Sequence, residues 1–124
     1  MNKLEFGHWV DGQLVRNEIG QDCRVQNPAT GELLAEGKMA DNRLIQEAIS
    51  SAERGLKIWK KYTHQQRGRI LFKAAELLRA ENTRLATLET QNTGKPIQES
   101  LSVDIHSGAD CIEFYAGLTD KLNG

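Results

Sequence analysis

From Asp41 to Ala116, apolar residues return at three- and four-residue steps, and no run of buried parallel strands interrupts them. That spacing confines most of the chain to amphipathic helices, each with one face to bury. Ile45, Ala48, Ile49, Ala52, Leu56 and Trp59 share the face of a first helix, and Asp41 or Asn42 supplies the side-chain oxygen that caps its start. Thr63 with Gln66 three residues later has capping-box spacing and opens a second helix, striped by Ile70, Leu71, Ala74, Ala75, Leu77 and Leu78. A third stretch, Glu81 to Thr93, carries Leu85 and Leu88 and stops at Gly94. Pro96 sits at the start of a last helix striped by Ile97, Leu101, Ile105, Ala109, Ile112 and Ala116, ending near Gly124.

The first 36 residues read differently. Asp11-Gly12 lies between Trp9-Val10 and Leu14-Val15, a hairpin signal, because Gly accepts the positive φ of a type I′ turn. Cys23 to Gln26 and Leu33 to Ala35 form a second strand pair around the turn cluster Asn27, Pro28, Thr30 and Gly31. Such an element is too small to be stable alone. Two hairpins and four helices can cover something, but they do not enclose it.

The chain has 124 residues, which suits one domain, with 16 Lys plus Arg against 17 Asp plus Glu. A formal net charge of -1 excludes a strongly basic nucleic-acid footprint and a polybasic membrane-surface protein. No stretch approaches the ~20 apolar residues of a membrane span, and the N-terminus lacks a secretory pattern. Cys23 and Cys111 match no metal-ligand spacing and read as reduced thiols of a cytosolic protein.

No self-contained active site emerges from spacing. Cys111 follows His106 by five residues, a step that turns the two apart on a helix. His64, beside a helix cap, reads as solvated. Gly94-Lys95 is no phosphate loop, because that pattern needs Gly at Glu89 and Ser or Thr at Pro96. Charges between 53 and 84 alternate in sign and mark solvated helix faces.

Longer strings carry more. Asn27-Pro28-Ala29-Thr30-Gly31-Glu32, then Leu88-Glu89-Thr90 with Thr93-Gly94-Lys95-Pro96 and Glu99-Ser100, then Val103-Asp104-Ile105 and Phe114-Tyr115-Ala116-Gly117, stand in order and at set distances. Arg67 with Ile70-Leu71 fits the same series. The ordered set resembles the N-terminal segment of the NAD(P)-dependent aldehyde dehydrogenase superfamily, over nearly the whole chain. Gly55-Leu56-Lys57-Ile58-Trp59 and Ser102-Val103-Asp104-Ile105, with Gly108-Ala109-Asp110, are similar to bacterial betaine aldehyde dehydrogenases.

The resemblance implies an α/β fold, with residues 1–124 an incomplete N-terminal portion of the cofactor-binding domain. It implies a cytoplasmic homo-oligomer that oxidises an aldehyde, betaine aldehyde, to the acid with NAD or NADP, in glycine betaine biosynthesis. The catalytic Cys, the general-base Glu and the oxyanion-holding Asn would lie beyond Gly124, so no catalytic or cofactor-binding residue is assigned here. The chain alone is expected to be inactive, and the alternative is a non-catalytic helical interaction module.

Two accessory sites follow residue by residue. A monovalent cation, K+ or Na+, would take the carbonyls of Val25 and Gln26, with Asn92 at the family's acidic position. Asn92 reads equally as an ordinary helix-end residue. Val103, Asp104 and Ser107 match positions lining the substrate entrance. A carboxylate there would attract a quaternary ammonium. Asp104 also reads as a helix-surface residue making a structural hydrogen bond.

Overall fold

The computed structural model describes Leu4 and residues 6–121. At the first turn Asp11 and Gly12 both take positive φ, 53° and 75°. This mirror-image turn matches the twist of paired strands, and it joins β1 (His8–Val10) to β2 (Gln13–Val15) with Trp9 opposite Leu14.

β3 (Asp22–Gln26) and β4 (Leu33–Lys38) form a separate antiparallel pair. Between them Asn27 organises the turn. Its Oδ1 accepts from the Ala29 N–H at 2.9 Å, its carbonyl from the Gly31 N–H at 2.7 Å, and its own N–H donates to the Glu32 carbonyl at 2.9 Å. The register holds from Asp22–Lys38 to Val25–Ala35, then slips, so that Gln26 faces Leu33 and Leu34 is the extra residue. The Leu34 carbonyl accepts from the Leu4 N–H at 3.0 Å. β4 runs further than its apolar residues predict because cross-strand charges extend the pair, with Lys38 on Asp22 at 2.7 Å. His8 Nε2 donates to the Lys38 carbonyl at 3.0 Å, and Asn17 Nδ2 donates to the Met39 carbonyl at 2.7 Å.

α1 (Asn42–Trp59) begins where Asp41 Oδ1 accepts from the Leu44 N–H at 2.9 Å. Its buried residue is Leu44, while Ile45, Ile49 and Leu56 of the expected stripe are each 43–50% exposed. The stripe is present but only about half covered among the described residues.

α2 (His64–Ala80) carries the full capping box. Thr63 Oγ1 accepts from the Gln66 N–H at 3.2 Å, and the Thr63 N–H donates to Gln66 Oε1 at 2.8 Å. α3 (Asn82–Thr93) ends at Gly94 in the left-handed region. A continuous rod follows, made of α4 (Ile97–Glu99), a π-helical turn (Ser100–Asp104) and α5 (Ile105–Gly117), with right-handed helical backbone at both joins. The rod ends at Gly117 and turns run on to Lys121, short of the end near Gly124 that the stripe predicts; residues 122–124 lie outside the described ones.

By contacts the chain divides into two compact units, Met1–Ile58 and Trp59–Gly124. The first buries Val10, Leu34, Ala35 and Leu44. The second buries Ala75, Ala86, Ala109 and Ala116. Its core is built from small residues rather than from Ile70 and Leu77, which are exposed, because α2 and α5 approach closely. A Cβ at Gly68 would lie 2.8 Å from Thr119 Oγ1 and 3.0 Å from the Ala116 carbonyl. A Cβ at Gly108, on α5, meets nothing within 4 Å.

The two glycines therefore separate packing from propensity. Gly68→Ala should lose about 1–3 kcal/mol to overpacking, lowering the thermal midpoint by several degrees. Gly108→Ala should raise the midpoint, since both gain roughly the same helix propensity. A calorimetric scan of the two variants checks this, and equal shifts would show that α2 and α5 are not in close contact.

Candidate functional site

The Gly94-Lys95-Pro96 link reverses the chain between α3 and the rod, which brings Lys95 back onto the π-helical turn. Lys95 Nζ donates to Asp104 Oδ2 at 2.7 Å, with the two side chains 33% and 25% exposed. Asp104 holds the ammonium above its ordinary value, first through this hydrogen bond and then through its charge, helped by the charges of Glu89 and Glu99 and opposed by burial.

The turn is fastened from α3 at two more points. Ser100, fully buried, shares a 3.0 Å hydroxyl contact with Thr90. Asn82 Nδ2 donates to the Leu101 carbonyl at 3.0 Å and lies 3.3 Å from His106 Nε2. A π turn shifts backbone bonding from i→i+4 to i→i+5, so carbonyls along it accept side-chain donors of this kind.

The expected entrance residues fall on this junction. Val103 and Asp104 end the π turn and Ser107 lies in the first turn of α5. Val103 is 52% exposed and Ser107 is exposed, while Asp104 is tied back to Lys95. Sequence reading assigned Asp104 without its partner, although a lysine at the end of one helix and an acid in the next helix's opening turns was the available signal.

The expected cation ligands divide between the units. Val25 and Gln26 lie in the first unit, where the β3–β4 register slips. Asn92 lies exposed near the end of α3 in the second. All three offer neutral oxygens. Among the described residues no three His, Cys, Asp or Glu side chains converge as a metal site. Cys23 is half-buried and Cys111 exposed, both as free thiols, and His106 meets Asn82.

The reading of charges 53–84 as solvated faces needs two corrections. Arg79, on α2, bonds Asp110 at 2.7 Å and also Glu113, strapping α2 to α5. Arg67 has a buried Nε. The carboxylates of α5 replace water around Arg79, whereas the Arg67 Nε is shut off from water without a partner. His64, read as solvated, is exposed but bonds the Thr119 carbonyl at 2.7 Å.

Residues 14–124 match the model of the aldehyde dehydrogenase family. This chain belongs to that family. It is 45% identical over 117 residues to betaine aldehyde dehydrogenase of Vibrio vulnificus (strain YJ016), covering 94% of this chain and 24% of that protein. It is 40% identical, with the same coverage, to betaine aldehyde dehydrogenase 2 of Rhizobium meliloti (strain 1021). The crystal structure of an indole-3-acetaldehyde dehydrogenase complexed with NAD+ superposes with a TM-score of 0.91 at 31% identity, over 98% of this chain and 25% of that one. The chain spans about a quarter of the length of the relatives it matches. The fold is the one found in aldehyde dehydrogenases, with two small antiparallel sheets and helices. Among the described residues no helix is long and apolar enough to cross a membrane.

The raised Lys95 value fixes the sign of a pH effect. Its stabilising contribution is complete below the ordinary lysine value of 10.5 and is lost as pH rises through the higher folded value. The midpoint difference between the native chain and Lys95→Gln should be constant from neutral pH to about 10 and close as pH rises beyond 10.5. Thermal melts across that range test this, and a constant gap would remove the ion pair as its source.

Proposed function

We propose that this chain is the N-terminal segment of an NAD(P)-dependent aldehyde dehydrogenase that oxidises betaine aldehyde to glycine betaine in the cytoplasm, as a homo-oligomer. The carrying observation is the 45% identity to a betaine aldehyde dehydrogenase, against 31% to an indole-3-acetaldehyde enzyme. NAD use is supported by the NAD+ complex of that second enzyme. When bound, NAD(P)+ supplies the hydride acceptor. None of the described residues is assigned to hold it or to perform the chemistry, and by this reading the 124 residues alone are inactive.

We assign a supporting role to this segment. Val103 and Ser107 border the substrate entrance. The support is their exposure on one junction of the rod, which Lys95, Asn82 and Thr90 hold from behind. The ion pair with Lys95 favours Asp104 as a structural residue, because a paired carboxylate projects little field toward a distant cation. Val25 and Gln26 offer backbone carbonyls and Asn92 an amide oxygen, donor types that suit a hard monovalent cation such as K+ or Na+ without adding charge. The half-exposed stripe of Ile45, Ile49 and Leu56 favours a second reading, in which the chain by itself is a helical module that associates with a longer subunit.

Two chimeras test the main reading. Residues 1–124 joined to the remaining three-quarters of the Vibrio vulnificus enzyme should retain betaine aldehyde kcat/KM within about tenfold of the parent. The same residues joined to the remainder of the indole-3-acetaldehyde dehydrogenase should fail to give an active enzyme. The reverse pattern would sink the subfamily assignment. In the active chimera, Asp104→Asn should change KM for cationic and neutral aldehydes by factors within about twofold of each other. A much larger rise for the cationic aldehyde would restore an attracting role to Asp104.

A further inference from the structure

Asn82 opens α3, and its amide can face only one way. Nδ2 donates to the Leu101 carbonyl at 3.0 Å. A carbonyl only accepts, so turning the amide over would set Oδ1 against the Leu101 oxygen. His106 Nε2 lies 3.3 Å from the same Nδ2. An amide nitrogen offers hydrogens and no acceptor, so Nε2 accepts here and the hydrogen of the neutral ring sits on Nδ1. Among the described residues nothing donates to Asn82 Oδ1, which is buried. The amide therefore has no hold on its oxygen side. Adding a proton to His106 turns Nε2 into a donor and sets two N–H groups against each other. Asn82 Oδ1 can meet the new Nε2–H only by turning over, and the Leu101 carbonyl then faces an oxygen instead of a donor. The charged side chains of the elements packed around this point are engaged elsewhere. Arg79 of α2 pairs with Asp110 and Glu113 of α5, Glu81 pairs with Arg84 of α3, and Lys95 pairs with Asp104 of the π turn and takes the charges of Glu89 and Glu99.

We propose that Asn82 and His106 form a proton-sensitive latch on the π-helical turn, closed while the imidazole is neutral and released when it takes a proton from solvent. Asn82 is the positioning residue, because its one amide joins the ring to the Leu101 backbone. An imidazole suits the task, since its charge changes in the range where a cell's pH moves. Release frees the Leu101 carbonyl and loosens the turn that carries Val103 and leads into Ser107. The consequence for a substrate entrance rests on the assignment of those two residues proposed above. The latch itself does not, and its test uses neither substrate nor activity.

Two measurements on the full chain test the latch. Nitrogen NMR of the imidazole at about pH 8 should show His106 Nε2 unprotonated and Nδ1 carrying the hydrogen. Amide hydrogen exchange, divided by the intrinsic rate at each pH, should then show protection of residues 102–107 falling at least about fivefold between about pH 8 and about pH 5, the equilibrium effect of one lost hydrogen bond. Protection in α2 around Ala75 should hold over the same range. His106→Gln can still accept from Asn82 but takes up no proton, so its protection should stay the same at both pH values. Asn82→Ala should lower protection at the higher pH and remove the fall at the lower one. The native chain alone can decide the matter if a variant fails to fold. A hydrogen on Nε2 at the higher pH, or unchanged protection of residues 102–107, overturns the proposal. So does an equal fall in the native chain and His106→Gln, since the proton would then act elsewhere.

Discussion

The contact between Gly68 on α2 and the Ala116 backbone on α5 sets the geometry of the second unit. Because no side chain separates the two helices there, their axes lie close along a seam that also buries Ala75 and Ala109. The seam fixes the other relations. It places Arg79 within reach of Asp110 and Glu113 at one end of α2 and brings Arg67 and His64 beside Thr119 at the other. Small residues do this without large hydrophobes because close packing makes many weak contacts per unit area.

Local features of the fold were legible in the sequence because each rests on a short-range rule. The Asp11-Gly12 turn, the Thr63–Gln66 box, the Asp41 cap and the Gly94 stop depend on residues within four positions of each other. What escaped depends on partners far along the chain. The periodicity of α1 correctly grouped Ile45, Ile49 and Leu56, but periodicity reports a face and not what meets it. In α2 the same reasoning grouped Ile70 and Leu77 with Ala75, while the seam buried Ala75 together with Gly68, which the stripe left out. Hydrophobicity ranks side chains by size, and a close helix crossing reverses that ranking.

The candidate site divides along the same line. Val103, Asp104 and Ser107 were identified by resemblance, and their position at a helical junction follows from the fold. The pairing of Asp104 with Lys95 escaped the resemblance, because it depends on a contact nine positions along the chain. It changes the chemistry of the position, from an open carboxylate to half of an ion pair. Arg67 shows the converse, a charge read as solvated whose surroundings leave it short of an acceptor.

The π-helical turn also has a consequence for the phase of the rod. The stripe Ile97, Leu101, Ile105, Ala109 advances in steps of four, slightly more than one α-helical turn, and a widened turn absorbs that drift. Removing one residue between Ser100 and Asp104 would turn everything after it by about 100°. Ala109 and Ala116 would swing off α2, although neither had been touched. The segment thus works as a setting for α5, so its length matters as much as its composition.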